Sequence, residues 1–484
     1  MTNNFVNLFL QRNDLMLKLP KKTRSYGSYY NNSYYNKGKT RPKISLLGII
    51  IALPVLIILS EFLAQTYLGI TGKGDTTKGT SPLIEAYKLQ FRTATDKPIE
   101  GLKNQGNLVM QRSSTTGYEL VDGQKSEFFY INEQGLRDND PVPVAKPKNE
   151  IRIFVLGGST AFGQLNPNND STISHQLEAR LKQRVNQQKS SPSTYRPDVF
   201  PFFVPSRQKL MTLPPKIREG NYRVINAAVP GYTSGNELSQ LALKILPYQP
   251  DLIVVLDGYE DIMLPSSQSQ TDVPHIDEFL ADAKGHFKNS LNFSADEWIK
   301  NTGLVRTYNS FTNPNNNSRP AANTSLPINT DGKPLKYYLP ENQDELKRRV
   351  DRYKENHTRL ISMSARLGIP VVLAIQPEIT SRPLEKLSSD EKAIRDRLGK
   401  EYLEEFPKAY KEFVKATQQL GNTYPKNVKV LNFYQSNSNF PTPMFTDTVH
   451  LTEKSNTVLA ETLYHAITAW EKIQIIPQNY YLKN

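Results

Sequence analysis

Five short runs of almost unbroken apolar residues constrain this chain more than any other feature: IRIFVLG (151–157), YRVINAAV (222–229), DLIVVLDG (251–258), IPVVLAIQP (369–377) and VKVLNFY (428–434). A strand with one wet face alternates apolar and polar residues, whereas a strand covered on both faces has no reason to. Helical periodicity fills the intervals, at 170–187, 236–247, 342–366, 389–420 and 455–474. The fourth opens on Ser388 with Glu391 three positions later, the spacing of a reciprocal N-terminal cap. Strand and helix in alternation predict a three-layer α/β/α domain around a five-stranded parallel, doubly wound sheet of flavodoxin-like type. Ligands of such sheets bind beyond the carboxyl ends of the strands. Two long tracts break the rhythm, 188–221 with its PFFVP and 263–341 with its Asn/Pro-rich stretch. Tracts of that length are lids or unstructured inserts, and the first has the aromatic content of a membrane contact.

The net charge of +13 raises a nucleic-acid partner, but its distribution argues against one. Residues 1–43 hold nine Lys/Arg against the single acid Asp14, which accounts for +8 and leaves a nearly balanced body. Directly after this basic, low-complexity tail comes ISLLGIIIALPVLIILS (44–60), 17 residues without a charge. As a helix it rises roughly 25 Å, and continuing through 68 completes a bilayer crossing. Basic residues before an apolar span place the tail in the cytoplasm. The 43-residue leader is too long for a cleaved signal peptide, so an uncleaved signal anchor is expected over 44–68. The resulting division is a cytoplasmic tail (1–43), the anchor (44–68), a juxtamembrane linker and pre-domain segment (69–127), and an extracytoplasmic domain (128–484). Cysteine is absent, which removes thiolate chemistry and Cys-based zinc sites.

The first apolar run ends in GGSTAFG, with Ser159 just past the strand. By itself this serine is equally a helix cap or a nucleophile. A phosphate loop and a dinucleotide fingerprint both fail on spacing. At the far end of the chain, MFTDTVHLTEKSN places Asp447 and His450 three apart, between the last strand and the last helix. A nucleophilic serine needs a base, and the base needs an acceptor to fix its tautomer. Both loops open on one edge of a parallel sheet. Of six histidines, His450 alone pairs a nearby acid with such a loop, whereas His175, His357 and His465 fall in helical patterns. No cluster with metal-ligand spacing is evident, and neither a metal nor a cofactor is expected.

Together these segments resemble the SGNH (GDSL-like) hydrolase superfamily. VLGGSTAFG is similar to its first block, VINAAVPGYTSGNE to its second, DLIVVLDGYEDI to its third, and FTDTVHLTEKSN to its fifth; INEQGLRDND resembles a segment preceding the first. The resemblance spans roughly 128–475. It implies Ser159 as nucleophile, His450 as base and Asp447 as its acidic partner, with the backbone N–H groups of Ser159 and Gly231 binding the oxyanion. It also implies an ester as substrate, with hydrolysis or acyl transfer as outcome, and the expected extracytoplasmic placement adds O-acylated saccharide to the substrates. Two positions depart from the pattern. Gly158 stands where the family has aspartate, which is not a triad member. Glu260 stands where the family has the asparagine that donates to the oxyanion. An ionised glutamate only accepts, so Glu260 is held protonated, or another donor replaces it, or the site is impaired. The last case leaves a non-catalytic glycan-binding or scaffold protein as the alternative to an enzyme.

Overall fold

The computed structural model describes residues 108–113, 115–267 and 334–481, together with 83, 86, 87 and 90–92. The basic tail, the anchor expected over 44–68, the glycine-rich stretch behind it and most of the 263–341 tract lie outside the described residues. Among the described residues, no helix is long and apolar enough to cross a membrane.

A small sheet comes first: β1 (Gln90–Arg92) runs parallel to β2 (Val109–Ser113), which pairs antiparallel with β3 (Gly117–Leu120). The five apolar runs follow as β4 (Glu150–Gly157), β5 (Asn221–Asn226), β6 (Leu252–Asp257), β7 (Val371–Ile375) and β8 (Val428–Asn432). They form one parallel sheet in the order β5-β4-β6-β7-β8. Their unbroken apolar character has a direct cause. Ile153, Val155, Leu252, Val254, Val372 and Ala374 enter one core layer, while Phe154, Leu156, Ile253, Val255, Val371 and Leu373 enter the other. Successive side chains on a strand point to opposite faces, and here both faces are covered.

Helices among the described residues include α1 (Ser159–Phe162), α2 (Ile173–Ser190), α3 (Val204–Met211), α4 (Ser234–Gln240), α5 (Tyr259–Met263), α6 (Gln343–Arg366), α7 (Ser389–Thr423) and α8 (Glu453–Thr468). Leu177, Leu181 and Val185 of α2 meet Leu459, Leu463 and Ile467 of α8 in the first layer. Leu360 and Ile361 of α6 and Leu420 of α7 belong to the second. The cap on α7 forms as its spacing predicts: Ser388 N–H donates to Glu391 Oε2 at 2.8 Å, and Glu391 N–H to Ser388 Oγ at 3.2 Å.

Three details differ from the sequence reading. The helix expected over 236–247 ends at Gln240 and continues as a π-helical segment, Leu241–Ile245, then a 3-10 turn, Leu246–Tyr248, where Pro247 has no N–H to donate. The long helix α7 is interrupted at Gly399, whose φ of 79° no right-handed helix accommodates. The tract 188–221 is not a lid. The strand β5 that follows it starts at Asn221, paired with Glu150 at the amino edge of the sheet. Val199 and Ile217 bridge to Gln478 and Gln474, beyond the end of α8. The tract therefore lies at the edge opposite Ser159, where Phe202 and Phe203 are 77% and 68% exposed.

The pre-domain segment, by contrast, reaches the carboxyl edge. Tyr118 of β3 donates to the Pro230 carbonyl at 2.8 Å, Tyr232 donates back to the Tyr118 carbonyl at 2.6 Å, and Asn236 Nδ2 donates to the Thr116 carbonyl at 2.9 Å. The small sheet thus packs on the turn that carries Gly231.

Candidate active site

At the end of β4 the chain needs two glycines for two different reasons. Gly157 has φ 148°, and a side chain there would press its Cβ to 2.2 Å from the Leu256 carbonyl oxygen on the neighbouring strand. Gly158 has φ −85° and ψ −150°, a conformation open to any residue, and it holds the N-cap position of α1 without a side-chain bond. Ser159 is therefore inside the helix and its hydroxyl is not a cap. That hydroxyl is fully buried and donates to Glu260 Oε1 at 3.1 Å, while the Ser159 backbone N–H donates to the same oxygen at 3.2 Å.

The turn carrying His450 is built by Asp447. One carboxylate oxygen accepts from the N–H groups of Val449 and His450 at 3.0 and 2.9 Å, and the other lies 2.7 Å from His450 Nδ1. An acceptor on Nδ1 places the ring proton there and leaves the Nε2 lone pair free to take one. Nε2 is buried and has no hydrogen-bond partner among the described residues. The two loops, nearly three hundred residues apart in sequence, meet through the next residue of each. Thr160 Oγ1 donates to the Val449 carbonyl at 3.3 Å, and Gln376 Nε2 supports Thr160 Oγ1 at 3.3 Å. No hydrogen bond joins Ser159 to His450 directly, because the serine hydroxyl is turned to the glutamate. Gly231 lies in the turn after β5 on the same edge, half-buried, with φ 81°.

Glu260 is almost fully buried in the first turn of α5. Burial pushes its carboxyl up to about 7, against the opposing pull of backbone N–H groups, the Ser159 hydroxyl and His450. Oε2 has no partner. Asp261, next along, anchors the start of α4, accepting from Ser234 N–H at 2.9 Å and Ser234 Oγ at 2.5 Å.

Two groups escaped the sequence reading. Arg137, in the segment before β4, is fully buried and donates to the Phe162 and Gly163 carbonyls at 3.1 and 2.7 Å, to Asn169 Oδ1 at 2.9 Å and to Tyr87 at 2.6 Å. It thereby fixes the loop leaving Ser159. The second group is Glu237, Asp257 and His357, whose side-chain atoms lie within 4.8 Å of one another, close enough to hold a metal ion. Direct pairing also accounts for them. His357 Nε2 is 2.8 Å from Asp257 Oδ2, and burial, with Asp257 and Asp261 nearby, holds Glu237 far above the ordinary carboxylate range and so neutral. His357 sits on α6, His175 on α2 and His465 on α8, as their helical patterns imply.

A serine past the first strand of a parallel sheet and an imidazole oriented by a carboxylate on the same edge define a serine ester hydrolase. The sequence pattern of the GDSL-like Lipase/Acylhydrolase family matches residues 153–463, and the chain belongs to that family. Among solved structures it is similar to the lipase/acylhydrolase of Enterococcus faecalis (15% identity, 66% of this chain and 95% of that one, TM-score 0.33). It is also similar to the psychrotrophic esterase EstA of a Pseudoalteromonas species (14%, 66% and 97%, TM-score 0.30). A third similar structure is a catalytic mutant of the acetylxylan esterase Axe2 from Geobacillus stearothermophilus (10%, 67% and 96%, TM-score 0.31). No curated protein sequence matches the chain. The assignment rests on the family pattern and on the site.

Proposed function

We propose that the chain is a membrane-anchored SGNH-type esterase or acyl-transfer enzyme acting outside the cytoplasm on ester substrates, O-acylated glycan among them. The observation that carries the catalytic reading is the Asp447–His450 pair at 2.7 Å, with its Nε2 bare and buried beside the loop of Ser159. The anchor over 44–68 and the outward placement of the domain rest on the uncharged span behind the basic tail.

In the proposed reaction Ser159 turns from Glu260 to His450, and Nε2 takes the hydroxyl proton as Oγ attacks the ester carbonyl. Asp447 stabilises the imidazolium that results. The backbone N–H groups of Ser159 and Gly231 receive the developing oxyanion. The intermediate collapses, the alkoxy oxygen leaves with the proton from His450, and water or a saccharide hydroxyl then accepts the acyl group. The test is hydrolysis of p-nitrophenyl acetate by the detergent-solubilised full chain beside Ser159→Ala. Turnover by the wild type and background rates in the variant support the reading. Equal rates in both turn it toward a scaffold or glycan-binding protein on a hydrolase fold.

A further inference from the structure

We infer that Glu260 is a protonation-dependent latch on the nucleophile: as a carboxylate it holds both donors of Ser159, and as a neutral acid it releases them and donates to the oxyanion itself. This rests on the esterase reading above.

One glutamate oxygen accepts from both the backbone N–H and the hydroxyl of Ser159, at 3.2 and 3.1 Å. These are the groups that the acylation step needs, the first for the oxyanion and the second for His450. An ionised carboxylate in that position competes for the N–H and repels an oxyanion within hydrogen-bond distance.

The chain has room for the glutamate only because Gly158 lacks a side chain. A Cβ on Gly158 would lie 2.3 Å from Glu260 Oε1 and 2.4 Å from its Cδ. Since the Gly158 backbone is ordinary, the carboxylate and not the turn requires a glycine there. The two departures from the family pattern, Gly158 and Glu260, are therefore in contact: the acid of this chain stands on the helix beside the serine and not on the residue before it.

Oε2 of Glu260 is bare. It is the oxygen free to carry a proton, and a neutral carboxyl in a dry site is a hydrogen-bond donor. Burial already holds the group near neutrality, at about 7. The groups facing it leave that balance intact. Tyr118 of β3 and Tyr410 of α7 are pushed far up by burial and stay neutral, as does Glu237 of α4. His450 favours the carboxylate only in the imidazolium form that it takes during the reaction.

The step balances without further reagents. With Glu260 neutral, the Ser159 proton passes to His450 Nε2, the Oγ–carbon bond forms, and the carbonyl π pair moves onto oxygen. That oxygen accepts from Ser159 N–H and Glu260 Oε2–H. On collapse the carbon–alkoxy bond breaks, the leaving oxygen takes the proton from His450, and Glu260 keeps its own throughout.

The experiment is kcat/KM for p-nitrophenyl acetate between pH 7 and 9 on the full chain, with the Ser159→Ala rate subtracted, for wild type and Glu260→Gln. The amide is a permanent donor. The wild type should fall tenfold per pH unit above the transition, so that the ratio of variant to wild type grows roughly 50-fold from pH 7 to 9. Glu260→Asn, which restores the family's residue, serves where Gln lowers the folded fraction seen by circular dichroism. The same alkaline fall in a folded variant overturns the inference. So does loss of turnover at every pH in both folded variants, because the ionised glutamate would then be needed. Either result leaves the esterase reading standing as long as Ser159→Ala is inactive, whereas activity in Ser159→Ala removes that reading itself.

Discussion

The pairing of Gly158 with Glu260 can be tested as a stability cycle. In Gly158→Ala the new methyl meets the glutamate carboxyl at 2.3 Å, inside the contact distance of any carbon and oxygen. The carboxyl is buried and bonded to Ser159 through N–H and hydroxyl, so it cannot swing aside without losing both bonds. Overpacking of this kind costs about 1–3 kcal/mol. Placing alanine at a helix N-cap costs something as well, but that contribution is common to both backgrounds and cancels in the cycle. In a Glu260→Ala background the space is open and the same substitution should lose most of its effect, giving a coupling of about 1–3 kcal/mol. Urea unfolding of the four proteins at one pH measures it. Gly157→Ala is the control, since its clash is with the Leu256 carbonyl and its φ is 148°, neither of which Glu260 influences. It should be damaging in both backgrounds. Additive effects of Gly158→Ala and Glu260→Ala would refute the argument that the glutamate is what requires the glycine.

Two further outcomes follow from the same geometry. Asp447→Asn keeps the turn but no longer fixes the proton on Nδ1, so kcat for p-nitrophenyl acetate should fall roughly 10³–10⁴-fold with little change in KM, and an unchanged kcat would remove Asp447 from the mechanism. Glu378 is fully buried, and burial raises its carboxyl to about 8 despite hydrogen bonds from Thr380 and Tyr402. A folded value above the unfolded one means the native state binds the proton more tightly, so stability falls as pH rises from the ordinary carboxylate range towards 8. Glu378→Gln should therefore be more stable than wild type at pH 9 and show no such gain at pH 4, as read by denaturant unfolding at the two values; a gain of equal size at both would contradict the assignment.

The sheet was legible because its strands are buried on both faces, which no other arrangement of Phe154, Leu156, Ile253 and Val255 with Ile153, Val155, Leu252 and Val254 explains as simply. Ser159 was legible only in company. Its position past a strand left a cap as a rival until Asp447 and His450 entered, and the structure removes the cap by giving that position to Gly158. The unusual Glu260 could be read directly, but Gly158 read as a separate and milder change. Their contact spans about a hundred residues and depends on how β4 and α5 meet, which local pattern does not encode. Arg137 was invisible for the same reason, since its partners Phe162, Gly163, Asn169 and Tyr87 are scattered through the chain. The tract 188–221 stayed open between a lid, a membrane contact and an unstructured insert, because its length indicates an insertion but not the edge of the sheet on which it falls.

The proposed function depends on Ser159 being a nucleophile activated by His450. Its most direct test is covalent labelling of the full chain with a p-nitrophenyl alkylphosphonate, followed by peptide mass spectrometry. One adduct is expected, on Ser159, with release of one p-nitrophenolate per chain and with labelling lost in Ser159→Ala and sharply slowed in His450→Ala. An adduct on another residue, or none on a folded wild-type protein at any pH from 6 to 9, would contradict it.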